Sequence, residues 1–289
     1  MNINPKTILW YGPNTYKKQK KMNRSIFMYR YIRAFYAKIF SSFRLLVRAN
    51  DRILDLALSA KGFDNWRMKE SGEILFITNF LSKKSPLLCI DIGANKGKYT
   101  RLLLDHTSAQ VISFEPLPFL YKKLTEDFLN YSHRCTFVNK GVGKQNEILK
   151  IHYNEDSSGY ASFSEDIKKI DYVKNINSLE VDVISLDDYC VTNNIKEIDF
   201  IKIDTEGFEK EVFEGASETF KKIKPKYIQM EYGPHQIYRN ATLLSFAEQL
   251  IDYNVYQLTI NGMRRVDPEH PHTNIFCFSN FVFVRKDLD

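Results

Sequence analysis

The chain has 289 residues, enough for one large domain or one domain with an appendage, and its 44% hydrophobic content excludes a wholly disordered chain. Residues 1–60 carry six lysines and six arginines against two aspartates, a net charge of +10, which leaves −4 for the rest of the chain. The acidic body argues against a nucleic-acid partner. Four well-separated cysteines without a CxxC pair indicate reduced structural thiols in a cytoplasmic protein, and neither a disulfide framework nor a zinc site.

The N-terminal segment, residues 1–60, combines basic and apolar residues. Residues 1–23 predict a polar arm, and residues 26–48 predict one amphipathic helix with apolar positions every three or four residues. No apolar run reaches the roughly 20 residues that a bilayer span needs. A basic amphipathic helix predicts peripheral contact with the inner face of an anionic membrane. The alternative is that this helix packs on its own domain or on a second copy in a homodimer.

Residues 61–289 predict one α/β domain. Residues 71–82 predict a helix with Ser71 as its N-cap. Strands are then expected at 87–90, 111–114, 136–139, 198–204, 226–231, 256–260 and 281–284, with helices at 97–107, 118–130, 209–223 and 243–253. This alternation predicts a doubly wound, mostly parallel sheet with helices on both faces.

One stretch, residues 148–186, departs from the alternation. Its two ends alternate like antiparallel strands, and they flank a long polar segment. We expect a lid or an acceptor-binding loop inserted into the domain, the alternative being a surface excursion without a function.

The first predicted strand leads into a glycine turn, Asp91-Ile-Gly93-Ala-Asn95-Lys-Gly97. The glycines allow a ligand to approach the backbone, and the helix that follows offers unpaired N–H groups. The turn lacks the Gly-x-Gly-x-x-Gly spacing that receives a pyrophosphate, and Asp91 would repel a phosphate. An acidic turn instead suits a cationic ligand with an amino acid tail, such as S-adenosylmethionine.

Acidic residues stand at the ends of four predicted strands: Asp91, Glu115, Asp204 and Glu231. Ligands of open parallel sheets bind outside the carboxyl ends of the strands, so we expect these four acids to ring one crevice. Glu115 follows the second strand, where an acid usually holds the hydroxyls of a nucleotide ribose.

Five residues near the later strands are candidates for catalysis: Lys202, Asp204, Glu206, Glu231 and His235. The first three alternate and therefore share a face of strand and turn. A buried Lys202 needs a partner, and Asp204 is the obvious one, so the alternative for Lys202 is a structural ion pair. Glu206 could instead cap the next helix, and His235 could be an ordinary core or surface residue. Three of the acids could converge on a divalent metal, but we assign no metal ligand.

Several segments resemble the FkbM-type methyltransferases over roughly residues 85–286. They are residues 90–97, Phe114-Glu115-Pro116, residues 139–143, residues 186–188, Ile198-Asp-Phe-Ile-Lys-Ile-Asp-Thr-Glu-Gly-Phe-Glu209, Val212 and Gly215-Ala216. The resemblance implies a Rossmann-like, seven-stranded class I methyltransferase fold. It also implies methyl transfer from S-adenosylmethionine to a hydroxyl, often on a sugar, a glycan or a related secondary metabolite.

The resemblance also implies which residues bind the cofactor. Asp91, Gly93, Asn95 and Gly97 would line its methionine part. Glu115, followed by Pro116, would hold the ribose, and Asn139 would approach the adenine. Two other functions stay open from the sequence: a nicotinamide-dependent oxidoreductase, against which the acidic turn argues, and a non-catalytic adaptor, against which the retained acids argue.

Overall fold

The computed structural model describes residues 23–154, 160–165, 169, 173 and 175–289. The chain divides into two compact units, Met1–Asp64 and Asn65–Asp289. All but the last residue of the predicted arm over residues 1–23 lies outside the described residues. Within the described part of the chain, no helix has the length and apolar character that a membrane crossing requires.

The first unit contains two helices, α1 (Asn23–Phe40) and α2 (Arg44–Ala60). The prediction of one continuous helix over 26–48 is therefore wrong. The hydroxyls of Ser41 and Ser42 donate hydrogen bonds to the carbonyls of Ala37 and Lys38, a local alternative that competes with helix propagation. Phe43 then adopts an extended conformation, with φ −126° and ψ 132°, and α2 begins after it.

The second unit alternates strands with short helices. The strands are β1 (Leu88–Ile92), β2 (Gln110–Phe114), β3 (Cys135–Val138), β4 (Gly141–Gly143), β5 (Glu147–Tyr153), β6 (Asn177–Ser185), β7 (Phe200–Ile203), β8 (Tyr227–Tyr232), β9 (Tyr253–Thr259), β10 (Gly262–Arg265) and β11 (Ser279–Arg285). The α-helices are α3 (Glu73–Leu75), α4 (Lys98–His106), α5 (Pro118–Asp127), α6 (Leu186–Thr192), α7 (Glu209–Gly215), α8 (His235–Tyr238) and α9 (Leu243–Ala247). Two π-helical segments, Phe76–Leu81 and Thr219–Ile223, follow α3 and α7.

Three predicted helices in this unit differ from the observed ones. Ser71 is not an N-cap, because Gly72 occupies that position in a left-handed conformation and the Ser71 hydroxyl donates to Glu73 instead. The helix predicted over 209–223 ends at Gly215 and resumes as the second π-helical segment. The helix predicted over 243–253 ends at Ala247, and Tyr253 already begins β9.

The main sheet has the strand order β10-β9-β11-β8-β7-β1-β2-β3. Strands β3, β2, β1, β7 and β8 pair in parallel, and β11 lies antiparallel between β8 and β9. The mostly parallel sheet is thus confirmed. An eighth strand, β10, extends the seven predicted ones by forming a hairpin with β9. Its sequence, Gly-Met-Arg-Arg, has no alternating apolar pattern, so the sequence did not predict it.

Helices cover both faces of the main sheet, as a doubly wound fold requires. Phe200 and Phe283 point to opposite faces, because strand pairing aligns Phe200 with Tyr227 and Phe283 with the next residue, Ile228. On the Phe200 face, the rings of Phe76 and Tyr99 pack against Phe200. On the other face, Phe213 of α7 packs against Phe283 and against Phe246 of α9.

Residues 148–186, which were predicted to interrupt the alternation of strands and helices, contribute to a second, three-stranded sheet. Strands β5 and β6 pair antiparallel from Glu147↔Val183 to Tyr153↔Asn177, as the sequence pattern indicated. The sequence did not reveal β4, which pairs in parallel with β6 and completes the order β4-β6-β5. Between β5 and β6 the described residues include a bridge from Ser162 to His152.

Candidate active site

A cavity of about 460 Å³ lies in the second unit, along the carboxyl ends of the strands. It extends from residues after β2, past β1, β7 and β8, to Phe278 before β11. Eight of the predicted site residues line it: Gly93, Asn95, Glu115, Pro116, Lys202, Asp204, Glu206 and Glu231. The lining does not include four others, Asp91, Gly97, Asn139 and His235.

The glycine turn after β1 packs tightly against the end of β7. Gly93 has φ +86°, and a Cβ added there would stand 1.8 Å from the backbone oxygen of Asp204. A side chain at this position would therefore push the two strand ends apart. The N–H groups of Gly93 and Ala94 both donate to the carbonyl of Phe114 at the end of β2. The turn is held between the two strand ends that flank β1.

Glu115 is 4% exposed and is fixed by the backbone on both sides. One carboxylate oxygen accepts the N–H of Asn95 at 2.7 Å, and the other accepts the N–H of Leu117 at 2.9 Å. Burial raises the pKa of Glu115 to about 7, although these two hydrogen bonds oppose the shift. The side chain of Asn139 donates to the carbonyls of Glu115 at 2.9 Å and Pro116 at 3.0 Å. Asn139 thus holds the segment that carries Glu115.

Asp91 lies beneath the cavity rather than on its wall. It is 0% exposed, and its Oδ2 accepts a hydrogen bond of 2.7 Å from the hydroxyl of Thr100 on α4. Its Oδ1 lies 3.8 Å from Nζ of Lys202 and accepts no hydrogen bond from the described residues. Burial raises the pKa of Asp91 despite the charge of Lys202. Asp91 thus faces Lys202 in a buried pair, and its contact with a cofactor stays a prediction. Gly97 packs beside Leu124 instead.

Lys202 is the centre of a buried polar network. Its Nζ lies 2.7 Å from Oδ2 of Asp204 and 5.0 Å from the ring centroid of Tyr99. The nearby carboxylates of Asp204 and Asp91 raise the pKa of Lys202 against the opposing effect of burial. The structural ion pair considered from the sequence is thus present. Because Asp204 lines the cavity and Asp91 does not, Lys202 links a fully buried acid to one on the cavity wall.

The network continues through residues that sequence reasoning did not select. The hydroxyl of Tyr99 donates to Oε1 of Gln229 on β8. The Gln229 amide donates to Glu73 at 3.2 Å and to Asn280 at 2.9 Å. Strand pairing places Asp91 beside Lys202 and Lys202 beside Gln229, so one polar row crosses β1, β7 and β8. The sequence analysis selected Asp91 and Lys202 of this row but not Gln229, which is buried in β8.

Three carboxylates lie close together at the end of the cavity opposite Glu115. One oxygen each of Asp204, Glu206 and Glu231 lies within 4.8 Å of the others, a spacing that a divalent cation could bridge. Burial and the neighbouring carboxylates raise the pKa of Glu206 and of Glu231 well above the usual range. No described residue donates a hydrogen bond to the side chain of either glutamate. We call Glu206 and Glu231 the acid pair.

Hydrogen bonds to the buried carboxylate of Glu209 hold the turn that carries Glu206. Glu206 has φ +52°, a strained conformation for a residue other than glycine. Glu209 is 0% exposed, and its carboxylate accepts the N–H groups of Thr205 and Gly207. Burial alone would raise the pKa of Glu209, but His235 and these hydrogen bonds lower it to about 2. His235 lies 3.5 Å from Glu209 and does not line the cavity, so the structure places it behind the turn.

The inserted segment contributes to the cavity wall. Tyr160, Ala161 and Phe163 line the cavity. The hydroxyl of Ser162 donates to the backbone carbonyl of Glu206 at 2.7 Å, and Phe163 packs against Phe208. The described part of the insertion therefore packs against the turn that contains Glu206 and is hydrogen-bonded to it.

The strand order of the main sheet, with a cavity at the carboxyl ends of its strands, is that of the class I methyltransferase fold. The profile of the methyltransferase FkbM domain matches residues 91–258, more than half of the chain. The chain belongs to this methyltransferase family.

The individual relatives and solved structures that resemble this chain share little sequence identity with it. The chain is 26% identical over 172 residues to a protein named 2-O-methyltransferase NoeI from Sinorhizobium fredii, a match covering 56% of this chain and 69% of the relative. Among solved structures, N-methyltransferase NodS from Bradyrhizobium japonicum has a TM-score of 0.40 and 9% identity, covering 74% of this chain and 93% of that one. The O-methyltransferase from Bacillus cereus, in complex with SAH, has a TM-score of 0.41 and 11% identity, covering 87% and 96%.

Proposed function

We propose that the protein transfers the methyl group of S-adenosylmethionine to a hydroxyl of a saccharide. The observation that carries the proposal is the arrangement of one cavity with Glu115 at one end and the acid pair at the other. An acid that would bind the nucleoside and an acid pair that would accept the proton thus line the same cavity. Family membership supports the methyl transfer, and the name of the relative from Sinorhizobium fredii supports transfer to oxygen.

The residues at the Glu115 end fit the nucleoside of this cofactor. The Glu115 carboxylate is held by two backbone N–H groups and remains on the cavity wall, where it would accept the ribose hydroxyls. Gly93 and Asp204 both line the cavity, so the methionine part would lie along this turn beside Asp204. Since Asp91 is buried beneath, Asp204 is the acid that would receive the ammonium group. When bound, the sulfonium supplies an activated methyl group for an in-line displacement.

The acid pair would act on the acceptor. An aliphatic hydroxyl must lose its proton as it attacks the methyl carbon, and a carboxylate with a raised pKa is suited to take it. Glu206 or Glu231 would hold that proton at a carboxylate oxygen. Lys202 would act from below, because its pairing with Asp204 fixes the carboxylate nearest the acid pair. Most of the rate gain would come from alignment of the two reactants.

Transfer of a labelled methyl group tests the proposal. The protein is incubated with S-adenosylmethionine, labelled in its methyl group, and with methyl glycosides of glucose, galactose, mannose, rhamnose and fucose. We expect label in an O-methyl ether of at least one glycoside. Label only in amines, or in no saccharide, would contradict the proposal.

A parallel calorimetric titration separates the two alternatives that the sequence left open. We expect heat from S-adenosylhomocysteine and none from NAD. Binding of NAD alone would favour the oxidoreductase, and cofactor binding without turnover on any acceptor would favour the adaptor.

A further inference from the structure

Two aromatic rings form a platform in the cavity wall. The rings of Trp66 and Phe278 stack with centroids 4.5 Å apart and planes at 23°, and both residues line the cavity. Phe278 is 6% exposed, whereas Trp66 is 50% exposed. A large aromatic side chain that is half accessible inside a cavity is typical of a ligand contact.

This platform lies at the end of the cavity that holds the acid pair. Phe278 directly precedes β11, and the pairing of Ser279 with Tyr232 and of Asn280 with Glu231 aligns the start of β11 with the end of β8. Glu115 follows β2, which is separated from β8 by β7 and β1. Both platform residues also lie outside residues 91–258, the part of the chain that matches the family. The platform is therefore placed to contact an acceptor that reaches the acid pair.

We infer that Trp66 positions the saccharide acceptor by stacking on the apolar face of its ring. The inference rests on the proposed function and adds the residue that would orient the substrate. A pyranose has one face of C–H groups and a rim of hydroxyls. The indole, stacked on Phe278, would offer a rigid apolar surface to the C–H face. The acid pair would offer hydrogen-bond acceptors to the hydroxyls. Together they would turn one hydroxyl toward the methyl group.

Fluorescence tests the contact in a folded protein with an intact site. The chain has two tryptophans, Trp10 and Trp66, so the Trp10→Phe variant retains one indole, at the platform. We expect the emission of this variant to change with a glycoside that the wild-type protein methylates. Saturation with that glycoside, shown by turnover, without any change in emission would overturn the inference.

Kinetics then distinguish positioning from a structural role. We expect Trp66→Ala to lower kcat/KM for the glycoside about tenfold or more, and Trp66→Phe to restore most of it. The affinity for S-adenosylhomocysteine should not change in either variant. Leu129→Ala, at a residue 69% exposed and outside the cavity lining, is the matched control.

Three outcomes remain separate in this experiment. Unchanged kcat/KM in Trp66→Ala, or an equal loss of cofactor affinity, would overturn the role of Trp66 alone. Absence of transfer to every glycoside by the wild-type protein would instead contradict the proposed function. Better transfer to flat aromatic alcohols than to glycosides would show that the platform selects another class of acceptor.

A different surface, in the first unit, carries a second inference. In α2 the charged residues Arg44, Arg48, Asp51, Arg52 and Asp55 fall on one side at 100° per residue, and the other side is apolar except for Asn50. No residue of α2 is buried.

The exposed apolar surface includes α1. Leu45 is 78% exposed and Leu56 is 72% exposed on α2, while Tyr29 and Phe35 of α1 are 65% and 67% exposed. Helix α1 has four basic residues and no acidic one. An aromatic, apolar and basic surface of this kind is typical of helices that lie in the headgroup region of a bilayer.

We propose that α1 and α2 bind an anionic lipid bilayer. Charge selects this occupant over a second copy of the chain, because two N-terminal segments of +10 each would repel one another across an apolar contact. An anionic surface would attract the same charge while its acyl region received the leucines.

Vesicle flotation of the full chain tests this second proposal. We expect flotation with phosphatidylcholine vesicles that contain phosphatidylserine, little flotation without phosphatidylserine, and release by salt. The double variant Leu45→Glu/Leu56→Glu should lose about nine tenths of the bound fraction. Val191→Glu, at a residue 81% exposed in the second unit, is the matched control. Equal flotation of the double variant, or a stable dimer without flotation, would overturn the proposal.

Discussion

The two ends of the cavity differ in how their acids are satisfied. At the Glu115 end, both carboxylate oxygens already accept backbone N–H groups, and Asn139 fixes the adjacent carbonyls. At the other end, the acid pair receives no hydrogen bond from any described side chain or backbone group, and its pKa values are raised. The Glu115 carboxylate is therefore held in place before a ligand binds. The carboxyl oxygens of the acid pair can still accept hydrogen bonds from a substrate. This contrast is what a preorganised cofactor site beside a reactive site would show.

The largest expected effect is at the acid pair. Glu206→Gln and Glu231→Gln are made singly, and the variant that loses the proton acceptor should have kcat lowered by about 10²- to 10⁴-fold. The affinity for S-adenosylhomocysteine should be unchanged, as measured by calorimetry. Glu218→Gln, an exposed acid on the surface, is the control. If both variants kept the wild-type kcat, the acid pair would have no role in proton transfer.

Loss of the lysine beneath the pair should affect stability. Lys202→Met leaves Asp91 buried without its counter-charge, so the free energy of unfolding should fall by about 3–5 kcal/mol, measured with urea. The matched control is Lys222→Met, because Lys222 is exposed and its pairing with Glu218 is screened by water. An equally small change in both variants would mean that Lys202 does not compensate the buried acids.

The Glu115 end should give a pH-dependent cofactor affinity. With a pKa of about 7, Glu115 is mostly protonated at pH 6 and mostly ionised at pH 8. The ionised carboxylate accepts ribose hydroxyls more strongly, so the affinity for S-adenosylhomocysteine should rise about tenfold between these pH values. In Glu115→Gln this rise should be absent. A rise of the same size in the variant would assign the titration to another group.

A smaller effect is expected at Asn139. Asn139→Ala removes two hydrogen bonds to the segment that carries Glu115, so S-adenosylhomocysteine should bind roughly fivefold more weakly, by calorimetry. The acceptor KM should not change, because Asn139 does not line the cavity. A change confined to the acceptor KM would contradict the division of the cavity.

Local sequence signals predicted most of the second unit. Strand β1, the glycine turn and α4 follow from an apolar run, two glycines and a helical repeat, and all are close in sequence. Signals were weaker where a strand is short or lacks an apolar pattern: β4 has three residues, and β10 lacks apolar alternation. The break between α1 and α2 depends on hydroxyl hydrogen bonds that a repeat of apolar residues cannot reveal.

Residues at the strand ends of the site could be predicted from the sequence, whereas residues that join the site by tertiary packing could not. Strand ends indicated that Glu115, Asp204 and Glu231 would face one crevice, because parallel strands end at the same edge. The same rule placed Asp91 there too, but strand pairing aligns Asp91 with Lys202 and Gln229, two residues below the level of Asp204 and Glu231. Trp66, Phe278 and Gln229 join the site only through tertiary packing, and no spacing in the sequence connects them.

The central claim is that one cavity holds the cofactor at the Glu115 end and the acceptor at the acid pair. Calorimetric titration of Glu115→Ala and Glu231→Ala with S-adenosylhomocysteine tests it most directly. We predict that Glu115→Ala binds about a hundredfold more weakly, because the two ribose hydroxyls lose the carboxylate to which they would donate hydrogen bonds. We also predict that Glu231→Ala binds like the wild-type protein. Equal affinity in Glu115→Ala, or the larger loss in Glu231→Ala, would contradict the account.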